Sequence, residues 1–211
     1  MIVNELITGY LASLAHDLPA ELEELKEKAR KAHVPIIRDD MLELIRFLLL
    51  KEKPKTILEI GTAVGFSALY MKSVVPDARI TTIEKVGMRL KEARKNLEGS
   101  GIELVEGDAE KVLPVLSGAY DMIFLDAAKG QYGRFLPDCK RLLAPGGLLL
   151  TDNVLLEGSI AGSRFGVERR DRTIHERMRE FLRELTHAEG LVTVILPVGD
   201  GAALTYKSHD V

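Results

Sequence analysis

Asp126, Asp152 and Asn153 are the residues of this sequence whose types and spacing most plainly suggest chemistry. All three can present oxygen, the donor that a hard cation such as Mg²⁺ takes while keeping some of its waters. Asp126 follows the apolar run Tyr120–Leu125, and Asp152-Asn153 follow Leu148–Thr151. Both runs read as strands, and if the strands are neighbours their ends bring the three side chains together. Asp152-Asn153 would serve equally well as an Asx-turn. Lys129 lies three residues past Asp126 and can lean over the same place. A nearby cation would ease loss of its proton and suit it to general-base work, whereas a solvated loop lysine is the plainer alternative.

A second group starts at Glu59-Ile60-Gly61-Thr62-Ala63-Val64-Gly65. Gly61 permits a sharp turn and a close ligand approach, Gly65 lets the next helix pack close, and Ser67 can donate a hydroxyl. The dinucleotide fingerprint needs a glycine where Ala63 stands, so a nicotinamide cofactor is disfavoured. Glu84, 23 residues past Gly61, is placed to take both hydroxyls of a ribose, or is simply a solvated strand-end acid. Asp108 could bond an adenine amino group, or cap the helix that begins at Ala109.

These residues must be positioned by alternating elements. Thr56–Ile60, Ile80–Ile83, Ile102–Val105, Tyr120–Leu125 and Leu148–Thr151 read as strands, separated by helical stretches near 66–75, 87–98, 109–116 and 131–143. That alternation predicts an α/β fold whose parallel sheet has helices on both faces. Such sheets bind ligands outside the carboxyl ends of their strands, where Gly61, Glu84, Asp108, Asp126 and Asp152 all fall. Apolar spacing predicts helices over 4–16 and 20–32, and a third from about Met41 that Pro54 ends. A helix over 168–188 leads to Leu191–Leu196 and Ala202–Lys207, an antiparallel hairpin at one sheet edge. The 211 residues suit one domain, with 1–53 as a helical cap and 54–211 as the sheet.

Composition mainly excludes. The net charge of -3 predicts no general nucleic-acid affinity, the single Cys139 forbids an internal disulfide, and the five histidines lack zinc spacing. No basic-then-apolar leader opens the chain and no apolar run approaches the roughly 18 residues of a membrane span, so a soluble, cytoplasmic protein is expected. Local charge differs. Between Arg164 and Arg183 stand seven arginines (164, 169, 170, 172, 177, 179, 183) against four acids. That is either a solvated helix laced with ion pairs or a rim that contacts phosphate. The N-terminal helices carry more apolar surface than a sheet layer obviously needs, which suits either a homodimer or simple coverage of the sheet.

Together, Glu59–Ser67, Phe124-Leu-Asp-Ala-Ala-Lys129 and Thr151-Asp-Asn153 resemble the metal-dependent O-methyltransferases that include catechol and caffeoyl-coenzyme A O-methyltransferases. Within them the chain looks most like the bacterial tRNA 5-hydroxyuridine methyltransferases, through Val34-Pro-Ile-Ile-Arg38, Asp126–Tyr132, the arginine-rich segment near 169–183 and Leu196–Gly201. The resemblance implies a Rossmann-like class I methyltransferase fold, with a seven-stranded, mostly parallel sheet. It implies S-adenosylmethionine lined by Glu59, Gly61, Ser67, Glu84, Asp108, Ala109 and Asp126, with the Val34–Ile36 loop closing over it. It implies Mg²⁺ on Asp126, Asp152 and Asn153, and Lys129 as the catalytic lysine. The expected reaction is in-line attack on the sulfonium methyl by a hydroxyl whose pKa the cation lowers. The expected substrate is tRNA, with Arg164, Arg169, Arg170, Arg172 and Arg177 as candidate phosphate contacts. Small catechols or caffeoyl-type esters are the alternative, although no secure counterpart of the acid that holds a catechol hydroxyl stands out. A dehydrogenase using the same sheet is a third reading, opposed by Ala63.

Overall fold

A computed structural model describes residues 4–85 and 87–209. In chain order the elements are α1 (Glu5–Ser13), α2 (Ala20–Lys31), α3 (Asp39–Glu52), β1 (Thr56–Ile60), α4 (Phe66–Val74), β2 (Arg79–Glu84), α5 (Gly87–Leu97), β3 (Glu103–Glu106) and α6 (Ala109–Val112). There follow β4 (Tyr120–Leu125), α7 (Tyr132–Leu142), β5 (Leu143–Thr151), α8 (Arg172–His187), β6 (Leu191–Leu196) and β7 (Ala202–Lys207). The sheet order is β3-β2-β1-β4-β5-β7-β6. β1 to β5 run parallel, and β7 pairs antiparallel with both β5 and β6. The expected seven-stranded, mostly parallel sheet with a C-terminal hairpin is the one found.

Strand periodicity divides the core into two layers. Ile57, Met122, Phe124, Leu148 and Leu150 face α2, α3, α4 and α5. Leu58, Ile60, Ile123, Leu125 and Leu149 face α7 and α8. The helical cap is therefore part of the sheet's packing, since Leu22 and Ala29 of α2 and Ile45 and Leu49 of α3 share the first layer. α3 ends at Lys53, which takes the left-handed conformation just before Pro54. α1 differs, because it buries none of its residues and leaves Leu6, Tyr10 and Leu14 at least 60% exposed.

Three expectations change. β5 begins five residues earlier than its apolar run, because Leu143–Gly147 continues the strand through a register shift opposite Tyr120 and Met122. The arginine-rich helix starts at Arg172 rather than 168, and Arg164–Gly166 forms a short 3₁₀ turn instead. Residues 168–171 form a turn, closed by the Asp171 amide on the Glu168 carbonyl at 2.9 Å. The helix near 109–116 is one α-turn that tightens into a 3₁₀ turn over Leu113–Val115, which Pro114 accommodates.

The register decides what meets at the carboxyl edge. Ile60 pairs with Ile83 and with Leu125, and Leu125 pairs with Thr151. The next amide on each strand extends the ladder: Gly61 donates to the Ile83 carbonyl at 3.0 Å, Asp126 to that of Ile60 at 3.0 Å, and Asp152 to that of Leu125 at 3.0 Å. Gly61, Asp126 and Asp152 thus stand side by side where the strand order reverses between β1 and β4, the place such sheets bind ligands.

Candidate active site

A cleft of about 540 Å³ opens over this edge. Its lining includes Ile36, Gly61, Ala63, Ser67, Glu84, Asp108 and Ala109 on one side, and Asp126, Lys129, Asp152, Asn153 and Asp200 on the other. Two residues expected at the cofactor lie elsewhere. Val34 packs against the core beneath the loop, while Pro35 to Arg38 reach the cleft. Glu59 is fully buried behind the cleft wall. Its side chain accepts from the hydroxyls of Ser67 and Thr82, and burial pushes its carboxyl up to about 7. A strand position alternates faces, and Glu59 is on the face opposite to Ile60.

The glycine turn has a different reason from the one its sequence suggests. Gly61 adopts φ +110°, and a Cβ there would stand 1.9 Å from the Asp126 carbonyl oxygen. What excludes a side chain is the neighbouring β4 end rather than a ligand. Gly65, at φ +87°, would place a Cβ 3.0 Å from Leu97 of α5, so it serves helix packing as expected. Ala63 itself holds φ +48°, a strained conformation for a residue with a side chain. Its amide donates to Glu84 Oε2 at 2.8 Å, and the Lys85 amide donates to Glu84 Oε1 at 3.0 Å. Glu84 is 6% exposed, so it is not the solvated strand-end acid that the sequence left open. Asp108 has the capping role as well as a place in the cleft. Its Oδ1 accepts from the Glu110 amide at 3.1 Å and its Oδ2 pairs with Lys85 Nζ at 2.5 Å. The Lys85 hydrogen bond and the Glu110 amide hold the Asp108 carboxyl below the usual range.

The acceptor side is built from less compatible charges. Burial raises the pKa of both Asp126 and Asp152, and the Asp126 charge adds to the rise at Asp152. Lys129, and for Asp126 also Arg89, pull the other way. Asn153, in the left-handed conformation at φ 61°, points Nδ2 at Asp126 Oδ1 over 3.3 Å, and its amide donates to Asp152 Oδ1 at 2.6 Å. The Asp152 carboxylate thus holds the next residue's amide rather than closing an Asx-turn, and Asn153 lies beside Asp126 with its nitrogen toward it. Among the described residues no group of three or more His, Cys, Asp or Glu side chains could hold a metal ion. The donor set here is two carboxylates and an amide, and rotating the Asn153 amide half a turn would present its oxygen to the carboxylates. Such a set fits a hard cation that keeps waters.

Asp200 was not foreseen as a site residue. It sits in the turn between β6 and β7, 4% exposed, and takes Lys129 Nζ at 3.1 Å and the Glu157 amide. The turn is in turn tied to α3, where Asp40 Oδ2 accepts from the Gly199 amide at 2.8 Å. Its signals in sequence were the flanking glycines of Gly199-Asp200-Gly201 and its place in the Leu196–Gly201 segment that carries part of the resemblance. Lys129 is thus neither a loose loop lysine nor an isolated base, since Asp200 fixes its ammonium at the cleft.

The arginine segment divides. Arg164 pairs with Glu176 at 2.9 Å, Arg170 with Glu168 at 3.0 Å, and Arg179 donates to the Ile160 and Gly162 carbonyls. Arg177 donates to the Gly130 carbonyl at 3.3 Å, which sets α8 directly against the turn that carries Lys129.

Sheet order, the glycine-containing first turn and the row of strand-end carboxylates define a Rossmann-like methyltransferase fold. The chain belongs to the O-methyltransferase family, whose sequence model matches residues 12–208. Catechol O-methyltransferase of Niastella koreensis is 35% identical over 115 residues, which are 50% of this chain and 52% of that protein. The counterpart in Mycobacterium tuberculosis is 34% identical over 112 residues, 50% of this chain and 51% of that one. The chain thus spans about half the length of these curated relatives. Among solved structures, a Staphylococcus aureus protein provisionally assigned as a caffeoyl-CoA O-methyltransferase is 33% identical with a TM-score of 0.89, covering 97% of this chain and 100% of that one. A methyltransferase of Podospora anserina with bound SAH is 27% identical with a TM-score of 0.88, covering 98% and 97%. No helix among the described residues is long and apolar enough to cross a membrane.

Proposed function

We propose that this chain transfers the methyl group of S-adenosylmethionine to a hydroxyl oxygen held at Asp126, Asp152 and Asn153 with Mg²⁺, and that the acceptor is 5-hydroxyuridine in a tRNA anticodon loop. The observation that carries the transfer is the single cleft that joins the glycine turn, Glu84 and Asp108 to the Asp126/Asp152/Asn153 set and Lys129. On the donor side, Glu84 can accept from a ribose hydroxyl while its two backbone bonds hold it still, and Ala109 with Asp108 can border an adenine. On the acceptor side, a bound cation would lower the pKa of the reacting hydroxyl and neutralise the two aspartates. Lys129 would take up that hydroxyl's proton or face the oxyanion, oriented by Asp200. Holding oxygen and methyl in line is worth roughly 7–11 kcal/mol of the barrier.

The tRNA acceptor rests on the arginine-rich rim, which adjoins the Lys129 turn through Arg177 and Gly130. An anticodon loop is single-stranded, and one of its bases can be splayed into a pocket at low cost. Of the phosphate contacts suggested by sequence, Arg169, Arg172 and Arg177 carry no ion pair among those described, whereas Arg164 and Arg170 do. Small catechols are the second reading, favoured by the names of the curated relatives and by Asp200, an additional acid in the cleft. Incubation of 5-hydroxyuridine-containing tRNA with enzyme, Mg²⁺ and S-adenosylmethionine, followed by nucleoside mass spectrometry, separates the two. A methylated uridine is expected; its absence, with methylated catechol formed in parallel, would replace the first reading by the second. The exposed apolar face of α1 supports a homodimer, which light scattering would test.

A further inference from the structure

Phe165 is 73% exposed, on a 3₁₀ turn that nothing in the proposed chemistry uses. An isolated surface phenylalanine needs no explanation, but this one is framed by cations. The guanidinium carbon of Arg164 is 5.3 Å from the ring centroid and that of Arg172 is 5.6 Å. Both arginines are themselves held, Arg164 by Glu176 and Arg172 by the Val167 carbonyl at 3.4 Å. The turn is fixed from below by Ser163, whose hydroxyl accepts from the Phe165 amide at 3.3 Å and whose carbonyl accepts from Gly166 at 2.9 Å. The ring is therefore presented on a braced support.

Its location links it to the cleft. Arg172 and Arg177 lie on the same helix, about 7.5 Å apart along its axis. Arg172 reaches Phe165, while Arg177 reaches Gly130 next to Lys129. Ile174, between them, would lie 3.8 Å from a Cβ on Gly130. The two side chains leave α8 about 140° apart, so the helix as a whole, not one face of it, links the aromatic ring to the turn that carries Lys129.

An exposed aromatic beside positive charge is the pairing with which proteins hold single-stranded nucleic acid: the ring takes a base face, and the cations take the backbone phosphates. We propose that Phe165 is a stacking platform for a nucleobase adjacent to the one methylated, with Arg172 directing the neighbouring phosphate and Arg164, paired with Glu176, bracing the ring. This rests on the RNA reading given above and names the residue by which the enzyme would tell a structured loop from a free nucleoside. A platform of this kind favours RNA over a small catechol, whose single ring cannot occupy both the acceptor site and the platform.

The test is binding of a fluorescein-labelled anticodon stem-loop RNA, read by anisotropy, to the wild type, Phe165→Ala and Phe165→Tyr. Thermal denaturation and S-adenosylmethionine binding of each variant check that the fold is kept. Loss of one base stack should raise the Kd of Phe165→Ala about tenfold, while Phe165→Tyr, which keeps a ring, should bind within about twofold of wild type. An unchanged Kd in Phe165→Ala overturns the platform. Wild type that binds the RNA in a Phe165-dependent way but does not methylate its 5-hydroxyuridine overturns the substrate reading and leaves the platform standing. Wild type that fails to bind the RNA overturns both.

Discussion

The two sides of the cleft are built on opposite principles. On the side of β1 to β3, the acids of the cleft have their partners within the fold: Glu84 accepts from two backbone amides, and Asp108 accepts from the Glu110 amide as the cap of α6 and pairs with Lys85. Around β4, β5 and the β6–β7 turn, Asp126, Asp152 and Asp200 line the cleft beside Lys129, whose ammonium is hydrogen-bonded to Asp200, and Arg89, whose charge acts on Asp126. The first side is complete before anything binds and can offer hydrogen bonds at little reorganisation. On the second side burial raises the pKa of Asp126 and Asp152, a cost that a cation bound between them would relieve.

Removing an acid from the second side should produce the largest effect. Asp152→Ala is expected to lower kcat/KM by roughly a thousandfold, the scale of losing several kcal/mol of metal assistance. S-adenosylmethionine affinity, measured by calorimetry, should stay within a fewfold of wild type. A comparable loss of cofactor affinity would erase the distinction between the two sides. Chelation followed by Mg²⁺ should abolish and restore turnover in the same pattern; full activity after chelation would remove the cation from the proposal.

Glu59 lies behind the first side and tests whether its wall is as well satisfied as its surface. Its carboxyl keeps a proton in the folded state up to about 7, but loses it near 4.5 when unfolded. Its contribution to stability is therefore full below about 4.5 and lost as pH rises through about 7. Glu59→Gln should lack that component, roughly 3 kcal/mol between the two limits. Urea denaturation at a series of pH values would read it, and Asp126 and Asp152, present in both proteins, drop out of the difference. Parallel pH profiles for the two proteins would deny Glu59 this role.

Gly61 is the seam between the sides. Gly61→Ala should destabilise by about 2–3 kcal/mol through overpacking and positive φ, with the β1–β4 contact at Asp126 taking the damage. Equal stability with loss of cofactor affinity alone would mean that a ligand, not the β4 end, requires the glycine. The smallest effect belongs to Asp200→Asn. It keeps an oxygen for the Glu157 amide but loses the charge that holds Lys129, and should lower kcat about tenfold with KM nearly constant. The pH dependence of kcat should shift as well; an unchanged pH profile would leave Asp200 a merely structural turn residue.

Much of this site was legible in the chain because parallel strands bring their carboxyl ends to one edge. Once the apolar runs are read as strands, the residue after each run is placed, whatever the details of packing. Gly61, Glu84, Asp108, Asp126 and Asp152 come from that rule alone. The start of β5 was harder, since Pro145-Gly146-Gly147 reads locally as a turn and Gly146 does take φ +79°; only the pair of Leu143 with Tyr120, beyond the register shift, carries the strand past it. The expected helix over 168–188 begins only at Arg172, because residues 168–171 close a turn of their own through the Asp171 amide and the Glu168 carbonyl.

Sequence by itself determined the order of the elements, the edge of the sheet where ligands belong, and the acids and lysine that gather there. Periodicity and strand direction are local properties, and they suffice for that. Only the tertiary structure decided which partner each charge finds. Asp200 meets Lys129 across 71 residues of chain, Glu59 turns behind the wall, Gly61 yields to the Asp126 carbonyl, and the arginines separate into paired and unpaired sets. Those outcomes depend on contacts between segments distant in sequence, and no local pattern encodes a distance between them.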